Sequence, residues 1–178
     1  MRPTRERKRQ VGQTYFVTSQ TWQRRTLFRN PEWAELFLHT LVSYRNRAYV
    51  LHEYVLMPEH FHILISPLVS LERAVQFVKG GFSFRAEKEL GSGLEIWQAG
   101  FSDHRVRSER DFQSHVRYIY NNPVTRGLVQ DASQYPYCSA FPGSPKDEVP
   151  QWLKPNITKL ELYGAAKAVP LQSEQILP

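Results

Sequence analysis

The sequence predicts an α+β domain built on an antiparallel sheet, and two observations point to it. The chain has 178 residues, 41% hydrophobic and 13% aromatic, enough to bury a core without disulfides. Strand-like and helix-like apolar spacing alternate along it in the order β-α-β-β-α-β-α. The first six elements match a ferredoxin-like split β-α-β pattern, with helices on one face of the sheet, and the last helix is an addition.

The first half of the chain is predicted to hold three strands and one helix. β-branched and aromatic residues dominate three runs that are typical of strands, residues 13–22, 49–57 and 60–66. Between the first two runs, Asn30 as N-cap and Pro31 at the first helical position start a helix that continues to about residue 46. Because only Pro58 and Glu59 separate the last two strands, these strands are expected to form an antiparallel hairpin.

The second half is predicted to add two helices and one strand. Ser70 caps the second helix, and the glycine pair at residues 80–81 inside it predicts a kink or break. A fourth strand lies within residues 95–107. Ser108 then begins a third helix through a capping box, and we expect that helix to end before Pro123.

Composition divides the chain into three segments. Residues 1–12 form a basic arm, residues 13–141 the folded domain, and residues 142–178 an extension that holds six of the twelve prolines. We expect that extension to pack loosely, without a core of its own. Cys138 is the only cysteine, which excludes an internal disulfide and a multi-cysteine zinc site. No apolar run reaches the ~18 residues of a membrane span and no signal peptide is recognisable, which predicts a cytoplasmic protein.

The charge of the chain points to a polyanionic partner. Lysine and arginine number 23 against 17 acidic residues, for a net charge of +6. Residues 143–178 sum to zero, so the whole excess lies in the first 142 residues. Clustered cations fit phosphate neutralisation with release of counterions. Charge alone leaves nucleic-acid binding open, since many basic domains bind none.

Two histidines on the third strand are the first candidates for chemistry. Side chains alternate across a sheet, so His60 and His62 share one face about 7 Å apart, whereas Phe61, Ile63 and Ile65 point into the core. Two imidazoles on an open face can ligate one divalent ion. They can also be two unrelated histidines on a polar face, or part of a zinc site completed by a distant carboxylate.

The third helix carries the second group of candidates. At 100° per residue, Tyr118 and Asn122 lie on one polar face beside the apolar stripe that docks on the sheet. A tyrosine there can attack a phosphodiester that a metal polarises, and the asparagine can supply an oxygen ligand. His115 is the nearest candidate in sequence to accept the phenol proton. The alternative is an exposed tyrosine hydroxyl and an asparagine that closes the helix.

Several motifs resemble those of known transposases. The run MPEHFHIL at residues 57–64 resembles the His-hydrophobic-His motif of single-tyrosine HUH transposases. The run YIYNNPV at residues 118–124 resembles the tyrosine motif of one branch, the REP-associated tyrosine transposases. The resemblance covers about residues 9–140. Further matching segments are residues 12–16, 79–83, 97, 103–104, 127–129 and 135–139.

The resemblance implies a fold, a reaction and its residues. The fold would be that of HUH endonucleases. The REP-associated tyrosine transposases cleave and rejoin single-stranded DNA with Mg²⁺ or Mn²⁺, at hairpins formed by repetitive extragenic palindromes. His60 and His62 would be metal ligands, and Asn122 would occupy the third-ligand position, where related small insertion-sequence transposases have glutamine. Tyr118 would be the nucleophile that forms a 5′-phosphotyrosine. Tyr120 lacks the four-residue spacing to Asn122.

Other basic residues then become candidate DNA contacts. They are Arg5, Arg7, Lys8 and Arg9 in the arm, Lys79, Arg85 and Lys88 on the second helix, and His104, Arg105 and Arg107 near the fourth strand. Arg85 and Lys88 can equally form a solvated helix face, and His104 can bond to Asp103. Trp97 is expected in the core rather than under a stacked base.

Two alternative functions stay open at this point. One is a hairpin-binding protein, derived from a transposase, that does not cut. The other is an unrelated metallohydrolase on the same scaffold, since a fold does not determine a function. The absence of a long coiled coil or an obvious exchanged helix favours a monomer.

Overall fold

The computed structural model describes residues 12–153 and confirms the predicted order of elements. Its strands and α-helices are β1 (Thr14–Gln20), α1 (Pro31–Ser43), β2 (Tyr49–Met57), β3 (His60–Pro67), α2 (Leu71–Leu90), β4 (Ser102–Val106) and α3 (Glu109–Thr125). Asn30 caps α1 by accepting the Glu32 N–H at 2.9 Å, with Pro31 at the first helical position. No helix within residues 12–153 is long and apolar enough to span a membrane.

The four strands form one antiparallel sheet in the order β2-β3-β1-β4. The hairpin is tight, since Met57 pairs directly with His60 across the turn. The centre of the sheet is the β1–β3 pair, in which Gln20 lies opposite His60 and Thr18 opposite His62. The predicted α+β class and the split pattern are confirmed.

Each face of the sheet has its own hydrophobic core. On one face, α1 and α2 cover Phe61, Ile63 and Ile65, which are fully buried, as their alternation predicted. On the other face, α3 packs Phe112 and Ile119 onto a smaller cluster. Fully burying one such side chain contributes about 1.5–3 kcal/mol. The two histidines of β3 share the face of α3, so the added helix is brought over them.

Helix α2 is continuous through its two glycines, so the predicted break is wrong. A Cβ on Gly81 would lie 2.8 Å from the Tyr44 ring, closer than real side chains approach. Gly81 therefore permits close contact with the residue that caps the end of α1. The glycine serves packing between helices and does not break the backbone.

Helix α3 also runs past the predicted end. Pro123 lies inside it, two residues before Thr125. A proline removes its own N–H, yet the later amides still bond, from Arg126 N to the Asn122 carbonyl at 3.1 Å and from Leu128 N to the Pro123 carbonyl at 2.9 Å. Because those bonds close the last turn, the helix tolerates the proline near its C-terminus.

The described part of the C-terminal extension lies against the domain. Asp147 pairs with Leu51 of β2, accepting its N–H at 2.9 Å through the side chain and donating its own N–H to the Leu51 carbonyl at 2.7 Å. Trp152 donates its indole N–H to Thr14 Oγ1 at 3.2 Å. The boundary at residues 141–142 stays a prediction, and residues 1–11 and 154–178 lie outside the described residues.

Candidate active site

The predicted histidines and the predicted tyrosine line one pocket of about 470 Å³ between β1, β3 and α3. His60 and His62 are 6% and 4% exposed, and their ring centroids are 4.8 Å apart. The pocket is lined by Phe16, Thr18, Gln20, Arg24, His60, His62, Ser102, Tyr118, Asn121, Asn122, Thr125 and Arg126. The fold thus brings together residues of three elements, and the sequence had only predicted that His60, His62, Tyr118 and Asn122 belong to one site.

His62 has a buried nitrogen with no partner. Its Nδ1 lies 2.7 Å from Thr18 Oγ1, and its Nε2 has no hydrogen-bond partner within the described part of the chain. Burial lowers the pKa of His62 to about 3, with smaller contributions from His60 and His115. A neutral imidazole that donates Nδ1–H to Thr18 presents a lone pair at Nε2, the donor that a cation requires. The residue therefore fits a metal ligand.

His60 lies between a carboxylate and two arginines. Glu59 Oε1 is 3.3 Å from His60 Nδ1, without hydrogen-bond geometry, and 3.1 Å from Arg126 Nη2. Burial lowers the pKa of His60, Glu59 opposes that shift, and Arg126 and Arg24 add to it. His60 is therefore also neutral near pH 7, as a ligand must be.

Tyr118 is half-exposed, with its ring 5.0 Å from the His62 ring and 5.7 Å from that of Phe16. One turn later, Asn122 is 9% exposed and donates its side-chain N–H to the Tyr118 carbonyl at 3.3 Å. With that assignment, the amide oxygen of Asn122 is left to accept from, or ligate, another group. An accessible phenol thus lies beside buried nitrogen and oxygen atoms that can ligate a metal ion.

The neighbouring tyrosine has a different environment. Tyr120 donates its hydroxyl to Glu53 Oε2 at 3.0 Å and accepts from Lys146 Nζ at 3.1 Å. Burial raises the pKa of Tyr120. Its hydroxyl is held by a structural network on the β2 side of α3, away from the histidine pocket.

His115, predicted as a proton acceptor, belongs to a second cluster. The metal-ligating atoms of His104, Asp111 and His115 all lie within 4.8 Å of one another, so these three residues can hold a metal ion. His104 Nε2 is 3.0 Å from the Asp111 carboxylate, and His115 Nδ1 is 2.9 Å from the Asp111 carbonyl. Phe16 contacts the rings of both His115 and Tyr118. The sequence analysis missed this cluster, although the i, i+4 spacing of Asp111 and His115 was a signal for it.

The predicted DNA contacts on α2 bond within the protein. Lys79 donates to the carbonyls of Gln98 and Gly100 at 2.9 and 2.6 Å, and burial lowers its pKa. Arg85 pairs with Glu89 at 2.6 Å. Their roles in DNA binding stay predictions.

The two predicted contacts on β4 diverge. His104 lies opposite Phe16, on the α3 face, whereas Arg105 lies opposite Tyr15, on the other face. Trp97 packs against the core and donates to the Lys79 carbonyl at 2.9 Å, as expected of a core residue. The four basic residues of the arm, Arg5, Arg7, Lys8 and Arg9, lie outside the described residues.

Comparison with known proteins finds relatives among the REP-associated tyrosine transposases. No protein-family model matches the chain. The chain is 29% identical over 128 residues to the REP-associated tyrosine transposase of Escherichia coli, covering 71% of this chain and 75% of the relative. It is 32% identical over 96 residues to a Haemophilus influenzae protein whose name assigns it provisionally to the same family, covering 47% of this chain and 54% of the relative.

A solved structure agrees with the sequence comparison. The fold matches that of a REP-associated tyrosine transposase bound to a REP hairpin, with a TM-score of 0.64 and 27% identity over 78% of this chain and 82% of that one. The resemblance to the REP-associated tyrosine transposases that the motifs predicted is therefore confirmed in sequence and in fold.

Proposed function

We propose that this protein is a metal-dependent single-stranded DNA endonuclease and strand transferase that acts at palindromic-repeat hairpins through a 5′-phosphotyrosine. The observation that carries the proposal is the position of Tyr118. Its accessible phenol ring lies 5.0 Å from His62, whose buried Nε2 has no hydrogen-bond partner in residues 12–153. A nucleophile and a nitrogen that can ligate a metal, both in one pocket, suit phosphoryl transfer.

The metal ligands would be His60, His62 and Asn122. Two neutral imidazoles and an amide oxygen can hold a divalent cation while leaving positions for substrate oxygen. Bound Mg²⁺ or Mn²⁺ would polarise the scissile phosphodiester. Thr18 holds Nδ1 of His62, which orients its Nε2 toward the pocket.

Tyr118 would exchange one phosphate ester bond for another. Its phenol oxygen forms the new bond to phosphorus, the bond to the 3′ oxygen breaks, and that oxygen leaves as a 3′-hydroxyl after gaining a proton. The phenol proton passes to water, which the half-exposed side chain can reach. Because the phosphotyrosine is itself an ester, a 3′-hydroxyl can reverse the step and rejoin the strand without another energy source.

The proposed partner is a single-stranded DNA hairpin of a repetitive extragenic palindrome. The related transposase structure holds a REP hairpin. A net charge of +6 favours association with such a polyanion.

The test is covalent capture. Hairpin oligonucleotides with flanking sequence, labelled on the 3′ side of the expected cut, are incubated with protein and Mn²⁺ or Mg²⁺ and run on a denaturing gel. Wild type should give a slow protein–DNA band that needs metal and disappears in Tyr118→Phe. Tyr120→Phe is the matched control, since it removes a hydroxyl two residues away on the same helix, and it should keep the band.

Two outcomes contradict the proposal. Tight hairpin binding in a native gel without any covalent band would identify a hairpin-binding protein that does not cut. Cleavage that His60→Ala abolishes but Tyr118→Phe spares would identify a metallohydrolase.

A further inference from the structure

We propose that Arg24 and Arg126 form a clamp for the non-bridging oxygens of the scissile phosphate. This proposal rests on the function proposed above. Both arginines line the pocket that holds Tyr118 and the histidine pair. They reach it from distant parts of the chain, one from the turn after β1 and one from the C-cap of α3.

Arg126 is held in position by a buried anion. Its Nη2 lies 3.1 Å from Oε1 of Glu59, a residue that is only 8% exposed. A guanidinium has five N–H donors in a planar fork, so the contact with Glu59 leaves donors for a second anion. The Arg126 side chain is half-exposed and lies one turn beyond Asn122, which places these donors next to the proposed metal ligands.

Arg24 occupies a strained turn that other bonds maintain. Gln23 and Arg24 both have a φ of 53°, in the left-handed region that side chains other than glycine and asparagine seldom adopt. Thr21 stabilises the turn, because its hydroxyl lies 2.7 Å from the Arg25 carbonyl and 3.0 Å from the Glu59 carbonyl. Strain of this kind persists where the surroundings enforce it, commonly at functional positions. Here the turn carries an arginine to the rim of the pocket.

The charges of the pocket suit a phosphate. Its lining contains two arginines and no carboxylate, and the adjacent Glu59 already faces Arg126. The remaining polar lining consists of hydroxyl and amide side chains and the two histidines. Paired arginine donors match the geometry of phosphate oxygens better than a single ammonium does.

The clamp would act most strongly while the phosphoryl group transfers. As the Tyr118 oxygen bonds to phosphorus and the 3′ oxygen leaves, negative charge accumulates on the non-bridging oxygens. Fixed donors aimed at that charge accelerate the step. Neither arginine exchanges a proton, because guanidinium stays charged in proteins.

The experiment measures single-turnover formation of the covalent complex at saturating protein, for wild type, Arg24→Gln, Arg126→Gln and Arg126→Lys. Arg47→Gln, at an exposed position before β2, is the control for loss of one positive charge. We expect each glutamine variant to slow the step about 100-fold. Hairpin affinity should fall by about tenfold at most, the value of one phosphate contact. Arg126→Lys should recover part of the rate, and Arg47→Gln should react like wild type.

A second substrate identifies the atoms involved. In a methylphosphonate at the scissile position, a neutral methyl group replaces one non-bridging oxygen. On the diastereomer that lacks the oxygen contacted by a given arginine, wild type and the glutamine variant of that arginine should react at the same rate. A persisting 100-fold difference on both diastereomers would overturn the clamp, as would variants that lose affinity and rate equally.

The outcomes separate the clamp from the proposed function. A wild-type covalent band with unchanged rates in both glutamine variants overturns the clamp alone. Absence of the wild-type band overturns both, because there is then no reacting phosphate to hold. Melting curves of each variant distinguish a lost contact from a lost fold.

Discussion

The polar groups on the two flanks of α3 differ in whether they have hydrogen-bond partners. On the pocket flank of α3, Tyr118 is half-exposed and faces His62, whose Nε2 has no partner among the described residues. On the β2 flank, Tyr120 belongs to a closed network with Glu53 and Lys146. Burying a polar atom without a partner costs free energy, so the pocket flank keeps a cost that the other flank has removed. This difference indicates where a ligand belongs.

The closed flank anchors the helix that carries the candidate nucleophile. Glu53 is 8% exposed, accepts from the Ser139 hydroxyl at 2.5 Å and pairs with Lys146 at 2.8 Å. These contacts join β2, α3 and the segment after α3. The Glu53 network on the β2 flank can therefore hold α3 in place while the pocket flank keeps unpaired polar groups.

The largest expected effect is the loss of that anchor. Glu53→Ala removes a buried anion together with its hydrogen bonds to Tyr120, Ser139 and Lys146, so it should lower the free energy of unfolding by about 3–5 kcal/mol. Denaturant unfolding measures the change, and Glu87→Ala, at an exposed position of α2, should leave the midpoint unaltered. A loss equal to that of the control would show that the network does not stabilise α3.

The next effect concerns cation binding on the pocket flank. Wild type should melt at a higher temperature with added Mn²⁺. At a Mn²⁺ concentration one hundred times the dissociation constant, the free energy of unfolding should rise by about 2.7 kcal/mol. His62→Leu should abolish that rise because it removes the unpartnered Nε2. Without metal, its stability should stay within about 1 kcal/mol of wild type. A rise that persists in His62→Leu and disappears in His104→Ala would assign the cation to the second cluster instead.

Acid should destabilise the metal-free protein through the same buried imidazoles. The pKa of His62 is lowered to about 3 in the folded state, from 6.5 in the unfolded chain, so between these values the unfolded chain binds the extra proton. The contribution of neutral His62 to the free energy of unfolding is therefore complete above pH 6.5 and is lost as the pH falls below that value. From pH 7.5 to 5.5 we expect a loss of about 1.4 kcal/mol from this residue.

Denaturant unfolding in the presence of a chelator measures that loss. His62→Leu should lack this part of the pH dependence. The pKa values of His52 and His60 are also lowered, first by burial, so some dependence should remain. An identical pH dependence in both proteins would contradict the lowered pKa of His62.

The smallest effect is that of the control tyrosine. Tyr120→Phe removes one hydrogen bond to Glu53, while Lys146 and Ser139 still pair with that carboxylate. Its free energy of unfolding should fall by about 1 kcal/mol. Thermal melting compares it with Tyr118→Phe, whose half-exposed hydroxyl should be nearly neutral for stability. A larger loss for Tyr118→Phe would reverse the contrast between the two flanks.

Local patterns were sufficient to predict which elements form and on which faces the two histidines, Tyr118 and Asn122 lie. Alternation along β3 placed His60 and His62 on one face and Phe61 on the other, and the structure has that arrangement. Helical periodicity placed Tyr118 and Asn122 together. These predictions held because side-chain direction in a strand or helix depends on backbone repeat alone.

Local patterns failed where a distant residue decides the outcome. Gly81 looked like a helix breaker, yet the Tyr44 ring requires a glycine there within an unbroken helix. Lys79 stays a predicted DNA contact, but its sequence position gave no sign of the two carbonyls, about twenty residues away, that accept its N–H groups. Pro123 looked like a stop, yet the amides after it complete the turn.

The sequence by itself determined the order of strands and helices, the shared face of the two histidines and the spacing of Tyr118 and Asn122. Only the tertiary structure decided that α3 lies over those histidines, and that Glu59 meets Arg126 from 67 positions away at 3.1 Å. The reason is physical. Periodicity is a property of neighbouring residues, whereas a pocket is made by chain segments that meet only when the sheet and its two cores form.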